Sequence, residues 1–211
     1  MRGSASDLPR APALTPTLSP TGRGRQIALL INHEKVVWEA AVEGLFVRAL
    51  AQRMTPSLRA ELRSCGLDLD KRLPPGVPRE AWYACLAATA RHLFPELSRE
   101  EGLRTIGRIT VDGVADTFWG RAFAPAVQLW GPRRLLMRVP GQMKSTNNFA
   151  TGQMTELGPT SLRLDVTDAG DAPEMMQGSL ERLASWAGAR EVAITFTRES
   201  PPAVSYFIHW K

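Results

Sequence analysis

Five cationic side chains, Arg121, Arg133, Arg134, Arg138 and Lys144, fall in a window from Thr117 to Thr155 that holds no Asp or Glu. Four of them lie within Gly131–Phe149, GPRRLLMRVPGQMKSTNNF. Guanidinium groups take carboxylate or phosphate in a two-pronged grip, and free N–H groups at a helix start favour anions. Gly131-Pro132 places such a start just before Arg133. Asn147 and Asn148 can add neutral hydrogen bonds. We therefore expect Arg133, Arg134, Arg138, Lys144, Asn147 and Asn148 to form an anion-recognising surface. Its ligand would be a small phosphorylated or carboxylated molecule, or an acidic protein surface. Two other readings compete. The arginines can pair internally with Glu39, Glu43, Asp112 or Asp116, and Asn147-Asn148 can be turn chemistry before a strand.

Other chemistries find less support. There is no G-x-S-x-G, no H-E-x-x-H and no phosphate-cradling P-loop. Gly22-Arg23-Gly24 is only Gly-x-Gly in a polar stretch. Asp112 and Asp116 sit one helical turn apart and suit an acid–base pair, but Arg108 lies one turn before Asp112. A non-enzymatic protein is expected; the alternative is an enzyme using Asp112, Asp116 or His209. Cys65 and Cys85 form no C-x-x-C and have no histidine-rich neighbourhood, so two reduced thiols are expected and no zinc. The net charge of +5 invites nucleic acid. Much of it resides in Arg2, Arg10, Arg23 and Arg25, which face a single acid, Asp7, within residues 1–33. DNA or RNA binding is accordingly the weakest alternative.

Residues 1–33 are expected to be a disordered tail. The first 26 are rich in Pro, Ser, Thr, Gly and Arg and poor in bulky apolar side chains. Leu14–Arg25, LTPTLSPTGRGR, resembles a translated intergenic repeat of GC-rich bacterial genomes, which puts the native start nearer Ile27 or Val36. No run approaches the roughly 18 apolar residues of a membrane span, and no secretory apolar core opens the chain. A cytoplasmic protein without membrane contact follows.

Residues 34–211 are expected to form one α+β domain: an N-terminal helical layer, then a ββαββ four-stranded antiparallel sheet. The spacing predicts a helix over 35–54. A second helix should open on Thr55-Pro56 and stop at Gly66. A third should open on Pro78 and end at Pro95. Ser98-Arg99-Glu100-Glu101 is a capping box for a fourth. Gly102, Gly107 and Gly113 interrupt its apolar stripe and point to close helix approach or to a break. Residues 123–130 read as a short helix that Gly131-Pro132 interrupts. RRLLMR follows as helix in preference to strand, closed by Pro140-Gly141. Beyond Asn148 the period falls to two: Leu162, Leu164 and Val166; Val192, Ile194 and Phe196; Val204, Tyr206 and Ile208. A helix from Pro173 to Gly188 separates the two pairs of strands. The six tryptophans mostly fall on apolar faces and are read as core, or as the lining of a pocket between the layers.

Several segments together carry a resemblance: VVWEAAVEGLF (36–46), Phe94-Pro95, GRITVDGVADTFWGRA (107–122), GPRRLLMR (131–138), TNNF (146–149) and YFIHW (206–210). They resemble a paralogous family of about two hundred residues that is abundant in myxobacteria and has no established activity to carry over. MMQGSLERLASWAGAREVAITFT (175–197) with VSYFIHW (204–210) is similar to the C-terminal part of TRAPP-like, vinyl-reductase-like and haem–nitric-oxide-binding-like domains. That resemblance implies helices before a small antiparallel sheet, and a role as small-molecule sensor or dimerising subunit. A homodimer is one form it would take. A haem sensor of this kind needs an axial histidine and a Tyr-x-Ser-x-Arg propionate clamp. The clamp is absent, and His33, His92 and His209 read as ordinary structural residues, so no cofactor is expected. The function implied is a regulatory sensor or adaptor.

Overall fold

The computed structural model describes residues 34–115 and 118–211, without the side chains of residues 118–120, 123 and 199. The expected tail at 1–33, with His33, and Asp116 lie outside the described residues.

The first element differs from expectation. Val36–Trp38 is a short strand, β1, paired antiparallel with β2, Gly76–Pro78. Val37 faces Val77 across the ribbon, and both are buried. The β-branched pair Val36-Val37 fits this pleated ribbon better than a helix. Helix α1 (Glu39–Val42) follows, then a π-helical stretch over Glu43–Ala49 and a 3-10 turn over Ala51–Arg53. The wider winding still delivers Val42, Leu45, Phe46 and Leu50 into the core.

The remaining helices obey their local signals. Thr55 caps α2 (Pro56–Ser64), its hydroxyl accepting from Leu58 N at 3.1 Å. Helix α3 (Arg79–Leu93) buries Trp82, Cys85, Leu86 and Thr89. Ser98 caps α4 (Arg99–Ala115), accepting from Glu101 N at 3.2 Å. The segment Phe118–Leu136, α5, is two helical pieces joined at Gly131, whose φ of 73° no helix tolerates. Residues 133–136 are helical, as the pattern favoured. Pro140 does not close that piece. It lies in the first turn of a further helix, α6 (Val139–Thr146), where its missing N–H costs nothing.

The second half is β3 (Gly152–Gly158), β4 (Ser161–Val166), helix α7 (Pro173–Trp186), β5 (Ala193–Ser200) and β6 (Ala203–His209). Its sheet runs β3-β4-β6-β5, antiparallel throughout. This is the expected ββαββ order. Leu162, Leu164, Val166, Ile194, Val204, Tyr206 and Ile208 meet Leu180 and Ala184 of α7 in one apolar cluster. A second cluster lies among the N-terminal helices, around Leu45, Phe46, Leu58, Leu62, Leu86 and Ile106. Phe149 packs against both.

Helices α4 and α7 join the two halves by direct backbone contact. A Cβ on Gly107 would collide with the Met175 carbonyl and stand 2.9 Å from Ser179 N. A Cβ on Gly178 would collide with the Arg104 carbonyl, 2.8 Å from its carbon. The close approach expected of the α4 glycines is thus real at Gly107, and its counterpart on α7 is Gly178.

Candidate docking surface

The second helical piece of α5 positions the arginines. Leu136 is its inward anchor, fully buried against the sheet cluster. Helical geometry then turns Arg133, Arg134 and Met137 outward, and Arg138 follows at the helix end. The exposed side chains here are not only cationic. Leu129 is 84% exposed and Leu157, on β3, is 52% exposed; Trp130 and Met137 are 36% and 39% exposed. Residues 129–138, with the end of β3 brought near by the Arg133–Glu156 ion pair, form a shelf that carries both apolar and guanidinium side chains.

Each expected site residue has a definite place. Arg133 forms an ion pair with Glu156, with Nε 3.1 Å from Oε1, and so ties the helix to β3. The Arg138 guanidinium lies over the Trp130 ring, 4.1 Å from its centroid. Arg134 and Lys144 are exposed, and neither side chain has an ion-pair partner among the described residues. Asn147 and Asn148 serve the backbone. Asn147 Oδ1 accepts from Phe149 N at 3.1 Å and from Ala150 N at 2.6 Å. Asn148 Oδ1 accepts from Val36 N, and its Nδ2 donates to Glu34 O, both at 2.8 Å. The turn reading thus describes Asn147, whereas Asn148 bonds the chain around Val36, and the four cations remain at the surface.

Of the internal partners that sequence offered for these arginines, Glu43 pairs with Arg48, and Asp116 lies outside the described residues. Asp112 pairs with Arg182 of α7. Arg108 does not reach Asp112; it bonds Glu181, at 2.8 Å, and Glu101, at 3.1 Å. Arg104 grips the same Glu181, Nε lying 3.0 and 3.1 Å from its two oxygens. Glu181 is a carboxylate buried against α4, with its side chain 10% exposed. Two guanidinium groups offset its desolvation.

A second buried carboxylate was not legible. Asp168 is 4% exposed and accepts from Lys35 Nζ at 2.8 Å, Arg79 Nη2 at 2.9 Å and Gly170 N at 3.1 Å. Burial alone would raise its pKa. The bonds from Lys35 and Arg79 outweigh that and hold it below the usual aspartate value. Arg79 in turn lies 5.1 Å from the Tyr83 ring centroid and 5.7 Å from that of Phe149. Desolvation pushes the Tyr83 hydroxyl far above its ordinary range. The signal that could have exposed this cluster is Asp168 with Gly170, an Asx-type turn just after a strand; nothing local marks Lys35 and Arg79 as its partners.

The remaining candidates among the described residues have the following places. His92 Nε2 is 3.0 Å from Thr55 Oγ1, with Nδ1 3.7 Å from Glu61. His209 is on the exposed side of β6. The Cys85 thiol is buried and pushed up to about 12 by desolvation, too high for a nucleophile. Among the described residues no group of three His, Cys, Asp or Glu is arranged to hold a metal ion, and no helix is long and apolar enough to cross a membrane.

Solved structures that share this architecture include H-NOX domains. An oxygen-binding H-NOX domain related to soluble guanylate cyclases superposes with a TM-score of 0.60 at 12% identity, over 82% of this chain and 94% of that one. The Fe(II) unliganded H-NOX protein from K. algicida gives 0.58 at 10% identity, over 81% and 94%. A further H-NOX structure, solved to probe the function of haem distortion in that family, gives 0.60 at 13% identity, over 82% and 94%. At such identities the likeness establishes a shared fold and nothing about chemistry. No curated protein matches the sequence. Residues 35–211 match the family described as "Protein of unknown function (DUF2378)", and the chain belongs to that family.

Proposed function

We propose that this protein is a non-enzymatic regulatory module that docks an anionic partner on the shelf formed by residues 129–138 and Leu157. The observation that carries the reading is Arg134, without an ion-pair partner among the described residues, beside exposed Leu129, Trp130, Met137 and Leu157. Exposed clusters of large apolar side chains rimmed by charge mark interaction sites, and Trp, Met and Arg are enriched at interfaces. A small anionic ligand fits less well. Two hollows among the described residues, about 360 and 300 Å³, are lined by other side chains and include none of this shelf.

The H-NOX structures are described in terms of haem and oxygen. The described residues do not suit haem. A haem iron takes His, Cys, Met or Tyr as its protein ligand, and neither hollow is lined by any of these. His92 is held by Thr55 and Glu61, and His209 lies on the open side of the sheet. The α4–α7 contact, where even a Cβ has no room, leaves no slot between those helices. The reading is therefore a sensor-type scaffold employed for docking.

The test compares species that co-purify with the full chain and with an Arg134→Glu, Arg138→Glu double variant, proteins and bound metabolites both being identified. A species retained by the wild type and lost from the folded variant supports the reading. Identical sets from the two refute it.

A further inference from the structure

We infer that the partner of the shelf is an acidic, amphipathic segment of another protein, its apolar side on Leu129, Met137 and Leu157 and its carboxylates toward Arg134 and Arg138. This inference rests on the shelf being a docking surface, and four observations narrow the occupant.

The first is charge. The window from Thr117 to Thr155 contains five cations and no acid. Glu156 at its border is paired with Arg133. A second copy of the chain placed face to face would set Arg134 and Arg138 against their own copies, which like-charge repulsion disfavours.

The second is the carboxylate beside Leu157. Glu156 precedes Leu157 on β3 and is ion-paired at the surface. Sinking Leu157 into a bilayer would drag that ion pair toward hydrocarbon, whereas a peptide can leave it at a wet rim.

The third is the state of the one tryptophan on the shelf. One face of the Trp130 ring is covered by the Arg138 guanidinium. That face is closed to base stacking, which single-stranded nucleic acid would use. The stacked guanidinium still presents its edge to a carboxylate, and its planar fork suits one better than a lysine would.

The fourth is the extent of the apolar side chains. They come from both sides of the Gly131 kink and from the neighbouring strand. A bare polyanion would leave Leu129, at 84% exposure, uncovered. An amphipathic segment covers it.

The experiment uses the full chain and a labelled synthetic peptide of roughly 18 residues, Leu at helical spacing and Glu elsewhere, read by fluorescence anisotropy. Polyglutamate of equal length and vesicles of neutral lipid doped with phosphatidylglycerol are the comparison probes. The wild type should bind the amphipathic peptide about tenfold more tightly than polyglutamate. Arg134→Glu with Arg138→Glu should weaken that binding about tenfold or more. Leu129→Ser with Leu157→Ser, which leaves charge untouched at two exposed positions, should weaken it roughly fivefold. Circular dichroism and a thermal melt confirm that both variants fold. If the charge variant loses binding but the leucine variant and polyglutamate match the wild type and the peptide, the amphipathic partner is refuted and anion docking survives. If charge reversal changes nothing, both readings fall. If vesicles hold the chain more tightly than the peptide, a lipid surface replaces the protein partner.

Discussion

Two sets of arginines divide this molecule. Arg104, Arg108 and Arg182 lie at the α4–α7 seam, each matched by a carboxylate on the facing helix: Glu181 for the first two, Asp112 for the third. Arg133, Arg134 and Arg138 lie on the second piece of α5 and just beyond it. There one carboxylate, Glu156, serves one arginine, and an aromatic ring serves another. The seam is closed to the point of backbone contact. The shelf is open and apolar between its charges. The same side chain fastens in one place and remains available in the other, and the difference lies wholly in what faces it.

The sharpest way to break the comparison is to force the seam apart. Gly107→Ala places a methyl group against the Met175 carbonyl and Ser179 N, with no flexible side chain to yield. We expect a loss of about 3 kcal/mol in urea unfolding. A loss under about 0.5 kcal/mol would mean the helices are not in contact there. Next, Glu181→Gln removes the charge that two guanidinium groups enclose. It should cost roughly 2 kcal/mol, below the range for fully buried pairs because Arg104 and Arg108 are about a third exposed.

Asp168 gives a pH test of the matched kind of charge. Its pKa is held down in the folded protein, so its contribution is present above the ordinary aspartate range and is lost as pH falls through the depressed value. Asp168→Asn should lower the melting temperature at pH 7 by several degrees, and the gap to wild type should narrow as pH is brought down to about 3. A gap independent of pH would show that its charge is immaterial. The smallest effect belongs to the shelf. Arg134→Glu should shift unfolding by no more than about 0.5 kcal/mol, since no carboxylate is left behind. A larger destabilisation would reveal an internal partner and remove the contrast between the two sets.

The parts of this architecture visible in the sequence are those written in local chemistry. Thr55-Pro56, Ser98 with Glu101, Pro173 and the alternation in β4 and β6 each fix an element within a few residues, and each is where it was expected. The glycines of α4 announced close approach, though not to whom. What escaped was written over long range. Val36–Trp38 reads as helix because its partner strand lies some forty residues on. Asp112 was offered Arg108 one turn away, yet the tertiary fold gave it Arg182. Asn147 and Asn148 looked like ligand donors. The backbone groups they bond, at 149–150 and at 34 and 36, include two more than a hundred residues distant. The shelf was half legible: its charges stood out, but that Leu129, Trp130 and Leu157 stay in water depends on how the kink at Gly131 and the β3 strand are set.

The clasp at the front of the described chain limits how far the protein can be trimmed. Glu34 lends its carbonyl to Asn148, and Lys35 lends its ammonium to Asp168, so both halves are stitched together through the two residues just before β1. A shortened version that begins at Glu34 keeps both stitches. One that begins at Val36 would have to hold its ribbon in place with neither.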